Sequence, residues 1–87
     1  MSYVYLLYSQ TADKYYLGYT KDLSRRVLEH QTNQGRWTRG KGPWELVYYE
    51  EFSIDCEARK RELQLKKSKN RKYLMWLITN GPGTSVD

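Results

Sequence analysis

The stretch Tyr3-Val4-Tyr5-Leu6-Leu7-Tyr8 followed by Tyr15-Tyr16-Leu17-Gly18-Tyr19-Thr20 decides how this chain folds. Both runs are rich in aromatic and branched residues that suit a pleated, half-buried surface, and the polar Ser9 to Lys14 between them reads as a hairpin loop. An even number of loop residues makes antiparallel partners sum to an odd number. Odd-numbered Tyr5 therefore shares a face with even-numbered Tyr16 and Gly18, and the two tyrosines are diagonal neighbours. A slip of one residue would part them.

Working outward, Asp22 is a good N-cap, and Leu23 and Val27 form a core stripe on a helix running to about Gln31. Arg26 and His30 lie one position from that stripe, on a flank between core and solvent, while Arg25 and Glu29 can pair on the outer side. The segment 32–43 (TNQGRWTRGKGP) reads as an exposed loop. Trp44 to Phe52 supplies a third strand, with Leu46, Tyr48 and Phe52 on one face and Val47 and Tyr49 on the other. Ser53 or Asp55 caps the next helix, which extends to about Ser68 and turns Ile54, Ala58, Glu62 and Leu65 inward. Asn70 caps a last helix carrying Tyr73, Leu74, Leu77 and Ile78, which stops at Asn80-Gly81-Pro82. The expected order is β-β-α-β-α-α: an α+β domain over residues 1–80, with a small three-stranded antiparallel sheet flanked by helices, and a flexible tail over 81–87.

Composition narrows the function. With 87 residues the chain has room for one domain, and its nine tyrosines and three tryptophans supply large side chains for a small core. Fifteen Lys and Arg against ten Asp and Glu give a net charge of +5, which favours polyanionic partners. A single cysteine, Cys56, excludes an internal disulfide and a multi-thiolate zinc site; it reads as small and partly buried. No leader pattern and no apolar run of about 20 residues is present, so a cytoplasmic setting is expected.

Each candidate side chain has an ordinary reading. Tyr5 and Tyr16 suit any strand, Arg26 any helix surface, His30 a helix C-terminus, and Glu62 an i,i+4 pair with Lys66. In combination they are more specific. Tyr3-Val4-Tyr5, ten residues, Tyr16-Leu17-Gly18, then Asp22-Leu23-x-x-Arg26-x-x-x-His30, then Ala58-x-x-x-Glu62-x-x-x-Lys66 resembles the GIY-YIG nuclease family from Tyr3 to Asn80. Tyr3 stands where that family has glycine, Val4 and Leu17 where it has isoleucine.

The resemblance implies phosphodiester hydrolysis with Mg²⁺ or Mn²⁺ as cofactor, in a DNA repair or recombination setting. Charge builds on the phosphoryl and leaving oxygens during such attack, so a fixed cation and a metal are needed. Arg26 would clamp a non-bridging oxygen and Glu62 would hold the one metal, which needs only one or two carboxylates. A tyrosine would act as general base, with Tyr5 deprotonating a water that Tyr16 orients, or the reverse; its pKa must then fall by about 2 to 3 units from about 10. His30 would relay a proton or bind phosphate. Arg36, Thr38, Arg39 and Lys41, in a loop that interleaves cations with Trp37, and Lys66 would contact nucleic acid. DNA is the expected partner, branched or single-stranded forms included, with a second protein as a source of added affinity. A nucleic-acid-binding module of the same fold with little turnover, or an adaptor for protein partners, are the competing readings.

Overall fold

A computed structural model of the chain describes residues 1–32, 43–68 and 70–86. The elements run β1 (Ser2–Ser9), β2 (Lys14–Thr20), α1 (Leu23–Gln31), β3 (Glu45–Phe52), α2 (Asp55–Lys67), α3 (Arg71–Asn80) and β4 (Thr84–Ser85). All strands pair antiparallel in the order β2-β1-β3-β4, which makes β1 central and β2 an edge.

The hairpin has the expected parity. Tyr5 stands opposite Gly18 and Leu7 opposite Tyr16, so Tyr5 and Tyr16 share a face with ring centroids 6.3 Å apart. Asp13 closes the loop in a left-handed conformation (φ 55°), which aspartate tolerates better than most residues because its short side chain bonds locally. Its Oδ1 accepts from the Tyr8 hydroxyl at 2.7 Å.

Two apolar clusters sandwich the sheet. Val4, Leu6, Leu17 and Tyr48 meet Ala58 and Leu65 of α2 and Leu74 and Leu77 of α3 on one side. Tyr5, Leu7 and Trp44, joined by Tyr16, Leu46 and Tyr49, meet Leu23 and Val27 of α1 on the other. Each fully buried leucine contributes about 1.5–3 kcal/mol, so Leu65, Leu74 and Leu77 fix the two helices beneath the sheet.

The third strand departs from simple alternation. Its pairing with β1 shifts between Leu6 and Leu7, opposite Tyr48 and Leu46, and leaves Val47 as the extra residue of a bulge. The parity flips there: Val47 joins Tyr48 and Phe52 on the α2/α3 side, and Leu46 joins Tyr49 on the α1 side. Alternation alone puts both residues on the wrong faces. Val47 also accepts, through its carbonyl, a bond from the Val86 amide at 3.0 Å, next to a fourth strand absent from the sequence reading. Thr84–Ser85 pairs with Tyr48 and Tyr49, so part of the segment expected to be a loose tail lies in the sheet.

Capping follows the sequence at two helices of three. Asp22 Oδ1 accepts from the Arg25 amide at 3.1 Å, and Asn70 Oδ1 from the Tyr73 amide at 2.8 Å. At α2 the cap residue is Ile54, which has no capping side chain, rather than Ser53 or Asp55. Ile54 precedes the helix in an extended conformation, so it leaves the inward stripe and is 53% exposed. Asp55 instead accepts from Ser2 Oγ at 3.1 Å and pairs with Arg59, fastening α2 to the start of β1.

A buried polar knot behind the sheet was not visible in the sequence. The Glu50 carboxylate accepts 2.7 Å and 2.9 Å bonds from Arg61 and a 2.5 Å bond from the Tyr48 hydroxyl, which in turn accepts from the Gly83 amide at 2.9 Å. Burial and the neighbouring carboxylate both push the Tyr48 phenol strongly upward, so it stays a donor. Glu50→Ala would leave Arg61 with a mostly desolvated charge, and breaking a buried pair from one side costs about 3–5 kcal/mol. Arg61 keeps some solvent contact, so about 3 kcal/mol is expected, read as a lower urea midpoint at constant m-value.

Candidate active site

The α1 side of the sheet and the β2 edge bring together most of the residues singled out by the sequence. Gly18 makes this possible. A Cβ built on it would lie 2.5 Å from Tyr5 Oη, 2.6 Å from Tyr5 Cζ and 3.0 Å from Tyr16 Cε1. The Tyr5 ring therefore lies across the backbone of β2, in space that any side chain at position 18 would take, and its hydroxyl is delivered toward the sheet's edge.

There Tyr5 Oη meets His30 Nε2 at 3.0 Å. His30, expected on the rim of α1, is buried at 2% exposure under the Tyr16 ring (centroids 4.9 Å) and the Tyr5 ring (5.9 Å). Burial and the nearby Arg26 cation, opposed by Glu29, lower its pKa, so the imidazole is neutral at neutral pH. With the ring proton on Nδ1, the phenol donates and Nε2 accepts. Trp44, 3% exposed, closes the pocket behind Tyr16 (6.4 Å, edge-on).

Arg26 keeps its guanidinium half exposed at the mouth, held by Glu29 Oε1 at 3.0 Å. Glu29 is thus a closer partner of Arg26 than of Arg25, whose contact is 4.0 Å. The guanidinium also lies near enough to the Tyr5 hydroxyl to favour its phenolate. That influence loses. Desolvation dominates and the Tyr16 phenol adds to it, so Tyr5 is pushed up to about 12. The lowered pKa expected of a tyrosine base is not found for Tyr5 in the protein alone; the shift has the opposite sign because the ring is buried.

Glu62 approaches from elsewhere. Its helix packs through Ala58 and Leu65 into the cluster on the far side of the sheet, whereas Tyr5, Tyr16 and the α1 helix that carries Arg26 lie on the near side. The Glu62 charge is nonetheless felt at the Tyr5 phenol, among the influences that raise its pKa. Of the two sequence readings of Glu62, the ion pair with Lys66 is present. The Glu62 side chain is largely shielded, and its Oε2 pairs with Lys66 Nζ at 3.2 Å. Such a pair, with Lys66 half exposed, contributes at most about 1 kcal/mol and competes weakly with a dication. Among the described residues no three His, Cys, Asp or Glu side chains cluster as a metal cage. A single, partly exposed carboxylate fits an ion that keeps most of its waters, as Mg²⁺ does, and does not fit zinc.

Of the expected nucleic-acid contacts, Lys66 is exposed beside Glu62, whereas Arg36, Thr38, Arg39 and Lys41 lie outside the described residues. Cys56 is exposed rather than partly buried. Sequence reasoning missed Trp44 as the pocket's wall, Glu29 as the holder of Arg26, and the steric role of Gly18. The last was signalled by an interior strand glycine, which marks a close approach.

The structure is thus a small α+β domain in which Tyr5, Tyr16 and His30 meet near the β2 edge beside Arg26, with the Glu62 charge felt at the Tyr5 phenol. The profile described as the GIY-YIG catalytic domain matches residues 1–74, and the chain belongs to the GIY-YIG family. It is 40% identical over 74 residues to a UPF0213 protein of Clostridium perfringens, covering 83% of this chain and 78% of that one. It is 36% identical over 80 residues to a UPF0213 protein of Staphylococcus saprophyticus, covering 91% and 95%. The solution NMR structure of a UPF0213 protein from Bacillus halodurans superposes with a TM-score of 0.57 at 34% identity, over 94% of this chain and 88% of that one. No described helix is long and apolar enough to cross a membrane.

Proposed function

We propose that this chain is a Mg²⁺- or Mn²⁺-dependent endonuclease that hydrolyses DNA phosphodiester bonds. The observation that carries the reading is the buried bond from the Tyr5 phenol to a neutral His30, opening beside Arg26 and within electrostatic reach of Glu62. A buried phenol takes a hydrogen-bond partner in a structural role as well; what supports chemistry here is that the partner is a neutral base and that Arg26 and Glu62 both act on the same hydroxyl.

A phenol held near 12 is not a free phenolate at neutral pH, but it is a competent relay. Tyr5 takes a proton from the attacking water as it passes its own to His30 Nε2, so a buried phenolate never accumulates and the charge ends on the imidazole. Tyr16, on the same wall, orients the water. Arg26 binds a non-bridging oxygen and stabilises the charge that builds there. Glu62 holds the metal, which when bound neutralises charge on the phosphate and the leaving oxygen. The setting is the cytoplasm, with DNA repair or recombination as the context, and a second protein partner would add DNA affinity.

One observation favours a second reading, a nucleic-acid-binding module with little turnover: the upward shift of Tyr5 disfavours any mechanism that needs its phenolate. Purified protein incubated with single-stranded, duplex and branched DNA, with Mg²⁺, Mn²⁺ or EDTA, separates the two. Metal-dependent cleavage of any of these supports the nuclease; binding without cleavage supports the module.

The relay fixes a pH dependence. His30 must be neutral to accept the proton, so single-turnover cleavage should rise with pH through its lowered pKa, with a midpoint below about 6.5, and be level at neutral pH. His30→Gln should remove that acid limb and slow cleavage about 10²-fold. The same shift has a stability sign. Because the folded state holds the His30 proton less tightly than the unfolded chain, this residue costs nothing above about pH 6.5, and stability is lost as pH falls through the folded pKa. A melting temperature in His30→Gln that falls with acidification as steeply as in the wild type would place the linkage elsewhere.

A further inference from the structure

At the hairpin end of β2, away from the pocket that holds His30, Lys14, Tyr15, Asn70, Arg71 and Leu74 line a cavity of about 280 Å³. Arg71 lies over the Tyr15 ring, 5.7 Å from its centroid, and is held there by the Asp13 carboxylate and carbonyl. Two of its five N–H donors are so engaged. Lys14 has no acidic partner among the described residues. The Asp13 carboxylate, bound to Arg71, is not among the residues that line the cavity. It is held ionised by Arg71 and by the Tyr8 hydroxyl, so it spends its charge on the guanidinium.

The position is as informative as the chemistry. Lys14 and Gly18 are four residues apart on an edge strand, about 13 Å at the rise of a β-strand. Tyr16, on the wall of the candidate active site, lies between them; on α2 the Glu62 charge is felt at Tyr5, opposite Gly18, and Asn70, in the turn after that helix, lines the cavity beside Lys14. At 3.4 Å per nucleotide along a duplex axis, 13 Å corresponds to about four nucleotides. Tyr15 and Leu74 of the cavity belong to the α2/α3 side and Tyr16 to the α1 side, so a nucleic-acid strand from the reacting phosphate meets the cavity by running along the β2 edge, where the two sides join.

We propose that the cavity lined by Lys14, Tyr15, Asn70 and Arg71 is a second subsite, which binds a backbone phosphate of the same DNA strand a few nucleotides from the cut. It rests on the nuclease reading for its choice of ligand. Lys14 and the free N–H groups of Arg71 bind the phosphate, Asn70 offers a further polar contact at the cavity wall, and the Tyr15 ring packs on sugar. These groups contact the backbone only, so the subsite sets position and affinity without reading sequence.

The test uses a labelled duplex of about 20 base pairs, which spans the edge with room on both sides. Affinity is measured across a salt series in a Glu62→Gln background, where the DNA stays whole. Lys14→Ala is expected to weaken binding about threefold to tenfold at low salt and to flatten the slope of log affinity against log salt by about 0.9, the share of one phosphate contact. Arg71→Ala should do at least as much, and Asp13→Asn, which frees the guanidinium, should not weaken binding. Lys60→Ala, an exposed lysine outside the cavity, is the control for net charge alone. Equal losses for Lys14→Ala and Lys60→Ala, or an unchanged slope in Lys14→Ala with melting temperature preserved, would overturn the subsite. The two readings fail separately. Cleavage by the wild type together with a silent Lys14→Ala leaves the nuclease without this subsite, and a Lys14-specific loss in a protein that cuts nothing with either metal leaves the subsite on a binding module.

Discussion

Glu62→Gln is expected to lower metal-dependent cleavage by about 10² to 10³-fold under single-turnover conditions while leaving the fold intact, the scale of losing one major electrostatic contributor to a transition state. Glutamine preserves the volume of the side chain and can still accept from Lys66, so the 3.2 Å contact is weakened rather than abolished. What it removes is the charge that would hold a dication. DNA affinity should stay level or rise, because a carboxylate near the phosphate path is gone. The rival account makes Glu62 half of a surface pair. In that case Lys66→Ala and Glu62→Gln would perturb the protein alike, each by less than about 1 kcal/mol, with cleavage untouched. Undiminished cleavage by Glu62→Gln would end the metal-ligand role.

Gly18→Ala should be nearly as damaging, although glycine carries no functional group. The added methyl would sit 2.5 Å from Tyr5 Oη and 2.6 Å from Cζ, well inside van der Waals contact. The Tyr5 ring is 1% exposed and packed against Leu7, Trp44 and Tyr16, so it has no empty space to swing into. Overpacking of this kind costs about 1–3 kcal/mol. The functional cost is larger. Any displacement of the phenol breaks the 3.0 Å bond to His30, and misplacing a reacting group by about 1 Å costs about 10²-fold in rate. The signature is a folded protein with a modestly lowered melting temperature and cleavage reduced about 10²-fold or more. Tyr5→Phe in the same background should add little, since the hydroxyl is already out of place. If Gly18→Ala cleaves like the wild type, the phenol does not need its seat on the β2 backbone.

These two variants address different links in one chain of cause. Glu62 reaches the site because Ala58 and Leu65, on the same helix stripe, are buried beneath the sheet. Arg61, one residue earlier, fastens that helix to Glu50 of β3. The Glu50 knot, by fixing the helix, also fixes where the Glu62 carboxylate can go. Tyr5 reaches the same site over the sheet's other face, by crossing a strand where no side chain stands in its path.

Much of this was decided by local rules that a sequence carries in full. Strand alternation and the even loop length put Tyr5 beside Tyr16, because pleat period and antiparallel pairing leave only one parity. Asp22 and Asn70 start their helices because their side chains satisfy amides three residues on, a contact within one turn. The 3.6-residue stripe identified Ala58, Leu65, Leu74 and Leu77 as core. What the sequence could not hold was whatever depends on groups far apart in the chain. The bulge at Val47 arises from how β3 fits β1 and β4 together, so alternation within β3 misassigned Leu46 and Val47. The Thr84–Ser85 strand exists because β3 has an open edge to pair with, not because two polar residues prefer extension. His30 is buried, and Tyr5 is pushed toward 12 instead of below 10, because α1 closes over rings from two strands. Desolvation is a property of the assembled surroundings, and a residue's own neighbours in sequence do not set it.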